Sequence, residues 1–380
     1  MYFGVEERKL NTARSWVEIN AQAILHNISS LRNNLPESTS IAPVLKANAY
    51  GHGLECLASI IPKESYTFCV DSIEEAIQLR NFRASNELIL IMGVIPESSM
   101  TLIDESMLPV VYDTDYITKL AALRPNQRIH VKIETGLNRQ GLQIHELPDF
   151  LALVRKLGLR PVGVYTHFAN VEDTLDSSFF NMQYESFSQA LKLFPTTVCR
   201  HSCASAAALL YPRQTGDMVR VGISLYGYFS SWQTLLSLKE RGVKCDLRPA
   251  LSWKCRIAQI KEVKSGDRVG YGCTHEMLRA GKIAVLPVGY YDGYCRLYSN
   301  RASVLINGRR APVIGRVAMN MCMVDISHLN DVSSGQVVTL LGQHVSGEAI
   351  SAEELAEISQ TIPYEVLTRI ASHIPRVVVS

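Results

Sequence analysis

Short apolar, β-rich runs alternate with longer amphipathic stretches over the first two thirds of the chain. Between the runs, apolar side chains recur at helical spacing. One such stretch, residues 20–35, follows Asn20 as a candidate N-cap, and Ser72 with Glu75 has the spacing of a capping box. The runs with the length and composition of buried strands are Ile41–Lys46, Tyr66–Val70, Leu88–Met92, Pro109–Tyr112, Arg128–Glu134, Arg160–His167, Val198–His201 and Met218–Tyr226.

This alternation predicts an α/β fold with a (β/α)8 TIM-like barrel. A closed barrel is favoured over an open sheet because an open sheet would leave two edge strands to cover. We predict an N-terminal extension over residues 1–15 and the barrel over residues 16–245. The run Trp16–Ile19 suits either the barrel or the domain that follows it.

After about residue 245 the pattern changes to short β runs punctuated by Gly, Asp and Asn. This texture predicts a mostly β C-terminal domain over residues 246–380. Near its end Ser351 and Glu354 mark the start of one helix. The candidate strands of this domain are Leu251–Ile260, Lys282–Val288, Ala302–Ile306, Met321–Ile326 and Gln336–Leu341.

Composition narrows the class of protein. Hydrophobic residues make up 47% and charged residues 19%, which is typical of a globular chain. The net charge of +2, without a basic stripe, argues against nucleic acid as a partner. The first ten residues lack the apolar segment of a secretory signal, and no apolar run reaches the ~18 residues of a membrane span. Nine cysteines without a C-x-x-C pair indicate free thiols in a reducing cytoplasm rather than disulfides or a metal site.

Polar residues that could take part in catalysis fall at the predicted strand ends, where barrels place their active sites. Lys46 ends the first strand, Arg139 follows the fifth and His167 ends the sixth. Ser205 follows the seventh strand, and Arg220 lies in the eighth. A lysine flanked by apolar residues loses its charge more easily, which suits Schiff-base chemistry.

The segment Val44–Gly53, with the sequence VLKANAYGHG, closely resembles the cofactor-lysine motif of alanine racemases, pyridoxal-phosphate-dependent enzymes of fold-type III. Similar blocks continue in order, so the resemblance covers residues 16 to 376. These blocks are Lys132–Arg139, Thr166–Ala169, Ala204–Ala207, Val219–Ile223, Gly270–Gly272, Val288–Tyr290, Gly315–Val317 and Pro363–Glu365.

The resemblance implies an isomerase that interconverts L- and D-alanine and supplies D-alanine for cell-wall peptidoglycan. Lys46 would bind pyridoxal 5'-phosphate covalently and move the α-proton on one face of the substrate, while Tyr271 would serve the other face. Two bases are needed because a single base tends to return the proton to the side it left. His167 and Arg139 would lie near the phenol and make it a better base.

The resemblance assigns further roles residue by residue. Arg220 would face the pyridine nitrogen of the cofactor with His201 behind it, and His167 would also contact the cofactor. Arg139 and the backbone N–H of Met319 would hold the substrate carboxylate, while Tyr290 would narrow the entrance. Lys132 matches a lysine that is often carbamylated, although an uncarbamylated ion-pair role is equally open. The phosphate would be bound by Tyr50, Ser205, Gly222, Ile223 and Tyr364.

Two positions depart from the family pattern. Ala318-Met319-Asn320 stands where many members have Cys-Met-Asp, and Ala204 stands where an asparagine often precedes the serine. Asn320 therefore replaces a carboxylate near the tyrosine. Tyr364 is retained, and it favours alanine over serine as the substrate.

The alternatives to an alanine racemase are a racemase of broader or different specificity, a decarboxylase on the same plan and a non-catalytic barrel that binds the cofactor. Arg220 opposes the decarboxylase, which would carry a glutamate there. The domain that bears Tyr271 opposes the non-catalytic barrel. The family also implies a head-to-tail homodimer, in which Tyr271 and Met319 reach the barrel of the partner.

Overall fold

The computed structural model describes residues 12–63, 66–83 and 87–380. Residues 1–11 of the predicted N-terminal extension lie outside the described residues. Two compact units emerge from the contacts between residues. The barrel unit consists of the described residues of Ala23–Ala49 and Leu57–Arg248, and the β unit consists of residues 12–22, Tyr50–Cys56 and Pro249–Ser380.

Strands and helices alternate up to about residue 240, and strands dominate after it. In chain order, the strands are β1 (Ser15–Asn20), β2 (Ser40–Pro43), β3 (Thr67–Val70), β4 (Leu88–Ile91), β5 (Met107–Val111), β6 (Arg128–Lys132), β7 (Arg160–Tyr165), β8 (Cys199–His201), β9 (Met218–Val221), β10 (Leu251–Arg256), β11 (Gln259–Val263), β12 (Arg268–Val269), β13 (His275–Glu276), β14 (Gly281–Leu286), β15 (Ser303–Ile306), β16 (Arg309–Ile314), β17 (Cys322–Asp325), β18 (Val337–Gln343), β19 (Ala349–Ile350) and β20 (Arg376–Val379). The helices are α1 (Ala21–Arg32), α2 (Leu54–Ile60), α3 (Ile73–Arg80), α4 (Thr114–Leu123), α5 (Leu147–Lys156), α6 (Ser178–Leu191), α7 (Ser205–Leu210), α8 (Trp232–Glu240), α9 (Ala352–Ser359) and α10 (Pro363–Thr368).

Strands β2 to β9 form the barrel. β3 to β8 pair in sequence order as a parallel sheet of six strands, and β2 pairs with β9, also in parallel. Parallel bridges join Val44 to Cys69 and Ala204 to Arg220, so they connect β2 with β3 and the end of β8 with β9. The predicted (β/α)8 barrel is confirmed.

Several predicted strands are too long at their carboxyl ends. β2 ends at Pro43 and β7 at Tyr165, so Lys46 and His167 follow their strands rather than end them. The run predicted as one strand over Met218–Tyr226 breaks at Gly222, and its second half is a short 3-10 helix, Ile223–Tyr226. The residues that follow these strands are also largely buried and apolar, so each apolar run in the sequence extends past the end of its strand.

The β unit is built on one large sheet, with the strand order β11-β14-β17-β16-β15-β18-β10-β1-β20. β1 pairs antiparallel with β10 and parallel with β20, so the run Trp16–Ile19 belongs to this sheet. The run predicted over Leu251–Ile260 is two strands, β10 and β11. The Oγ of Ser351 accepts the N–H of Glu354 at the start of α9, as predicted. The mostly β C-terminal domain is confirmed.

Two further properties bear on the class of protein. The nine cysteines are free thiols. Among the described residues, no helix combines the length and apolar character that crossing a bilayer requires.

Candidate active site

Lys46 lies at the mouth of the barrel unit on an unusual turn. The three residues after it have φ angles of +52 to +53°, a left-handed conformation that side chains other than glycine rarely adopt. The N–H of Ala49 donates to the carbonyl of Leu45 (2.8 Å), and the N–H of Ala47 donates to the Glu75 carboxylate (2.6 Å). These bonds hold the turn, which leaves the amine of Lys46 partly exposed.

The lysine amine faces an acidic side chain that the sequence did not single out. Nζ of Lys46 lies 3.7 Å from Oδ1 of Asp71, the residue that follows β3. Glu75 was predicted as half of a capping box with Ser72. The N–H of Glu75 does donate to Ser72 Oγ (3.3 Å), but its carboxylate accepts from Ala47 and Asp71 instead.

Arg220 lies inside the barrel with its guanidinium fully surrounded. It is 3% exposed. It donates to Nδ1 of His201 (2.7 Å) and to the carbonyl oxygens of Thr166 (2.9 Å) and Ser202 (3.1 Å), and it lies 3.3 Å from Nδ1 of His167. The resemblance placed His201 behind Arg220, and it placed His167 at the cofactor and near Tyr271. In the structure both histidines lie within hydrogen-bond distance of Arg220.

The two rings behind Arg220 have a defined protonation pattern. A guanidinium only donates, so His201 Nδ1 must accept and its Nε2 carries the proton. That N–H can donate to Nδ1 of His130, 2.9 Å away. Burial, reinforced by the charge of Arg220, lowers the pKa of His130 to about 3 and that of His201 well below its usual value. Both rings are therefore neutral at physiological pH.

His130 was missed by the sequence analysis. A signal was present, since His130 lies two positions before Lys132 in β6 and alternate residues of a strand share a face. The ring of Tyr165 stacks on His201 with 4.7 Å between centroids, and the guanidinium of Arg220 lies 4.8 Å from the Tyr165 ring. These contacts fix the plane of the arginine.

Ser205, Gly222 and Ile223 meet at one turn of the barrel unit. The N–H of Gly222 donates to Oγ of Ser205 (3.1 Å), and Ile223 begins the short 3-10 helix. Ser224, next in the chain, has a buried Oγ with no hydrogen-bond partner among the described residues. An unsatisfied buried hydroxyl, together with hydroxyl and backbone donors at one turn, suits a phosphate group.

Lys132 is buried in the barrel unit, at 4% exposed, and no carboxylate among the described residues lies within 4 Å of its Nζ. Its Nζ donates to Oε1 of Gln140 (3.2 Å), whose Nε2 donates to the hydroxyl of Tyr112 (3.0 Å). Burial, followed by the charges of Arg139 and Arg220, lowers the pKa of Lys132 to about 8. A lysine with this pKa is a usable nucleophile near neutral pH.

The loop that carries Arg139 is organised by Glu134. Its carboxylate accepts the N–H groups of Gly136 (2.5 Å) and Arg139 (3.3 Å). Although burial acts to raise it, the pKa of Glu134 is held below its ordinary value by these and neighbouring backbone N–H groups. The ionised carboxylate therefore fixes the backbone from which Arg139 projects.

In the β unit, Tyr271 stands out from a turn made by glycines. Its side chain is 74% exposed, between Gly270 (φ +74°) and Gly272 (φ +72°). A Cβ on Gly272 would come within 2.6 Å of Arg316, so the turn packs directly on that side chain. Two positive φ angles and this close approach make the glycines necessary for the position of the phenol.

Tyr290 and Met319 lie together in the same unit. The N–H of Tyr290 donates to Ala318 (3.1 Å), and the N–H of Tyr291 donates to Met319 (2.9 Å). A Cβ on Gly289 would overlap both acceptor carbonyls, which explains the glycine there. Asn320 follows, half-buried, in the same loop. Backbone hydrogen bonds thus join the two loops that carry the predicted substrate contacts Tyr290 and Met319.

Tyr50 and Tyr364 also meet within the β unit. Their ring centroids are 6.0 Å apart at a tilt of 45°. Gly51 (φ +82°) approaches the backbone of α10 so closely that a Cβ would overlap the carbonyl of Leu367. The two predicted phosphate-binding tyrosines are therefore neighbours, while Ser205, Gly222 and Ile223 form the group in the barrel unit.

Comparisons with known proteins identify the family. The alanine racemase N-terminal domain profile matches residues 19–230, and the C-terminal domain profile matches residues 250–378. A curated alanine racemase of Leptospira interrogans is 38% identical over 378 residues, which cover 97% of each chain. The crystal structure of alanine racemase from Bacillus anthracis with bound L-Ala-P has a TM-score of 0.88 at 31% identity and covers 97% of this chain and 95% of that one.

A third comparison concerns the cofactor. The structure of alanine racemase from Bartonella henselae with covalently bound pyridoxal phosphate has a TM-score of 0.83 at 26% identity, over 97% of this chain and 100% of that one. Two matching domain profiles, full-length sequence identity and full-length structural similarity agree. This chain belongs to the alanine racemase family.

Proposed function

We propose that Lys46 and Tyr271 are the two proton carriers with which this chain, an alanine racemase by family, inverts the α-carbon of alanine. The observation that carries the proposal is the presentation of the Lys46 amine. It projects from a left-handed turn beside an ion-pair partner, and a chain adopts such a conformation only where surrounding structure imposes it. Inversion needs a proton carrier on each face of the substrate, and Tyr271 is the exposed phenol of the β unit.

The family depends on pyridoxal phosphate, and the residues of this chain fit that group. When bound, the cofactor withdraws electrons from the α-carbon and so acidifies its C–H bond. Lys46 would hold the cofactor covalently. Ser205, Gly222 and Ile223 would donate to its phosphate together with the hydroxyls of Tyr50 and Tyr364. The buried unpartnered hydroxyl of Ser224 supports a phosphate at this turn.

Arg220 would keep the pyridine nitrogen of the cofactor unprotonated. Its guanidinium remains charged at any physiological pH, and neutral His201 and His130 behind it supply no proton. By facing that nitrogen with a permanent cation, Arg220 would limit the electron withdrawal that the cofactor supplies, which would favour inversion over transfer of the amino group.

The substrate would be held by its carboxylate. Arg139, fixed through the Glu134 loop, and the backbone N–H of Met319 would bind it, and Tyr290 would narrow the access path. His167 would contact the cofactor as a neutral ring, because burial and then the charge of Arg220 hold its pKa well below the usual value. With Asn320 in place of an aspartate, the loop of Met319 would supply no carboxylate near the phenol of Tyr271.

The proposal includes a head-to-tail homodimer in the cytoplasm, supplying D-alanine for peptidoglycan. In it, the partner's Tyr271 and the partner's Met319 would serve the barrel that holds Lys46. The high exposure of Tyr271 (74%) and Met319 (55%) supports a role at an interface. Nine free thiols suit a reducing compartment.

The covalent role of Lys46 is tested by trapping. Borohydride reduction of the full-length chain with pyridoxal phosphate, followed by peptide mapping, should place the label on Lys46. Lys46→Ala should lose both the label and racemisation, whereas Lys156→Ala, which changes an exposed lysine of α5, should retain both. A label on another lysine, or racemisation by Lys46→Ala, would overturn the assignment.

The dimer is tested by light scattering. Wild-type protein should scatter as a dimer at the concentrations at which it is active. Full activity of a species that scatters only as a monomer would contradict the shared site.

A further inference from the structure

Asp292 is a fully buried carboxylate in the β unit. It is 0% exposed, whereas Tyr290 and Tyr291, the two residues before it, are exposed to solvent. Burying a carboxylate is unfavourable unless hydrogen bonds replace the water that it loses. The contacts of Asp292 therefore indicate why the chain places an aspartate at this point.

Three separate segments of the β unit donate to Asp292. Its Oδ2 accepts the N–H of Gly289 (3.0 Å), and its Oδ1 accepts Nε2 of His373 (3.0 Å) and the guanidinium of Arg14 (3.3 Å). A carboxylate only accepts, so Nε2 of His373 carries the proton. Since Arg14 precedes β1 and His373 lies between α10 and β20, Asp292 joins its own loop to two segments that are distant in sequence.

The backbone of the loop is closed around the same residue. The N–H of Asp292 donates to the carbonyl of Gly289 (3.0 Å), and its own carbonyl accepts the N–H of Ala371 (3.1 Å). Gly293 has a φ of +102°, and a Cβ on it would come within 2.2 Å of the carbonyl oxygen of Arg369. The turn therefore packs directly on the chain that follows α10, with Asp292 at its centre.

His373 holds the loop at a second point. Its ring stacks on that of Tyr291, with 4.8 Å between centroids and 21° between planes. The N–H of Tyr291 in turn donates to the carbonyl of Met319 (2.9 Å). A continuous set of contacts thus runs from the buried carboxylate, through the histidine and the tyrosine, to the loop of Met319.

A carboxylate contributes direction at such a position more than stability. Replacing a buried charged pair by apolar side chains often leaves the free energy of unfolding unchanged. What the two oxygens of Asp292 add is a fixed orientation for each donor. With the N–H of Gly289 held by Asp292, the next two N–H groups in the chain point to the carbonyls of Ala318 and Met319.

We propose that Asp292 is a positioning residue for the substrate loops, holding Tyr290 and Met319 where the carboxylate of alanine is bound. The inference rests on the proposed function, since it takes these two residues as substrate contacts. Asp292 acts through Gly289 and His373 and does not itself contact the substrate. Its loss therefore weakens substrate binding more than it slows proton transfer.

Steady-state kinetics of the full-length, cofactor-loaded enzyme measure this difference. Asp292→Asn sets an amide N–H against the donors that the carboxylate accepts, so KM for alanine should rise about tenfold while kcat stays within about twofold of wild type. Asp325→Asn is the matched control, because Asp325 accepts one backbone N–H, that of Ser327 (2.8 Å), in the same unit. It should keep the wild-type KM.

His373 provides a second pair of variants, which keeps the inference testable where Asp292→Asn does not fold. His373→Ala removes both the donor to Asp292 and the ring on Tyr291, so KM should rise about threefold. His373→Gln keeps a side-chain N–H in the place of Nε2, and its KM should be closer to that of wild type than to that of His373→Ala. Equal KM values for His373→Gln and His373→Ala would contradict a role through the hydrogen bond.

Hydrogen exchange gives a readout that does not depend on activity. In Asp292→Asn and His373→Ala, the amides of residues 288–294 and 316–321 should exchange about tenfold faster, while those of β6 keep their wild-type rate. Equally faster exchange in β6 would show a general loss of stability and overturn the inference.

The failure of this inference is distinguishable from failure of the proposed substrate contacts. Gly289→Ala separates the two loops directly, without changing Asp292. A raised KM in Gly289→Ala, with a wild-type KM in Asp292→Asn or in His373→Ala, would overturn the inference alone. A wild-type KM in Gly289→Ala as well would overturn the substrate role of both loops and this inference together.

Discussion

The guanidinium of Arg220 donates to Nδ1 of His201 across 2.7 Å, at a position inside the barrel that is closed to solvent. Because arginine only donates, this bond fixes both the tautomer of the histidine and the direction of the cation. The Nε2–H of His201 donates to Nδ1 of His130, so two neutral histidine rings lie behind the positive charge of Arg220. The electronic role proposed for Arg220 depends on that arrangement.

Removal of His201 should destabilise the protein strongly. His201→Ala leaves a guanidinium N–H and His130 Nδ1 without partners and opens a cavity beside Tyr165. We expect a loss of about 3 kcal/mol in the free energy of unfolding, measured in urea. His145→Ala, at an exposed histidine of the same unit, should stay within about 0.5 kcal/mol of wild type. Equal losses for the two variants would refute the buried hydrogen-bonded role.

The buried histidines also predict how stability changes with pH. The folded pKa values of His130, His167 and His201 lie below the unfolded value near ~6.5, so the unfolded chain binds more protons below that pH. Their contribution is complete above the unfolded pKa and is lost as the pH falls. The loss should approach about 1.4 kcal/mol per pH unit for each histidine.

Urea denaturation at pH 7 and pH 5 measures this effect. His130→Asn should lose part of the pH dependence, because one buried ring no longer resists protonation. An unchanged pH dependence in that variant would show that His130 binds a proton in the folded state.

Lys132 should react as an amine near pH 8. With its pKa lowered to about 8, it is largely neutral above that pH, whereas an ordinary lysine stays charged to about 10. Neutral amine and carbon dioxide form a carbamate and release one proton. We therefore expect mass spectrometry, after chemical trapping, to find carbamylation of Lys132 that rises between pH 7 and 9, and far less on exposed Lys156. Equal labelling of the two lysines would contradict the shifted pKa.

Gly289 should control substrate binding through Tyr290 and Met319. Gly289→Ala places a methyl group against the carbonyls of Ala318 and Met319, so the two loops must separate. We expect KM for alanine to rise about tenfold, equivalent to about 1.4 kcal/mol, with a smaller change in kcat. A tenfold fall in kcat with unchanged KM would instead place these loops in the chemical step.

The barrel was predictable from sequence because each parallel strand is a compact apolar run between helical stretches. The ends of the strands could not be predicted from sequence, since Leu45 and the residues after Val221 are as buried as the strands themselves. The left-handed turn after Lys46 has no sequence signal, because alanine rarely adopts it and only Asn48 is a usual occupant. The contacts of Asp71 and Glu75 with the Lys46 turn were also not predictable from sequence. Both residues lie at the start of a helix, and only the neighbouring strand end brings the turn to them.

The family resemblance predicted more residues of the site than the hydrophobic pattern alone. It named Arg220, His201 and His167, which the structure brings within hydrogen-bond distance. It did not name His130, which contacts His201, or Gln140, which contacts Lys132. Such supporting contacts depend on which residues face each other across the barrel, and a single sequence does not encode that directly.

The division of labour between Lys46 and Tyr271 is measured most directly by deuterium wash-in at the α-carbon, followed separately from L- and D-alanine in heavy water. Tyr271→Phe removes the phenol hydroxyl while keeping the ring, and Tyr291→Phe, at an exposed tyrosine of the same unit, is the matched control. With one carrier on each face, Tyr271→Phe should slow exchange from L-alanine far more than from D-alanine, and Tyr291→Phe should slow neither. Equal slowing of both enantiomers by Tyr271→Phe would show that the two faces are not served by two different residues.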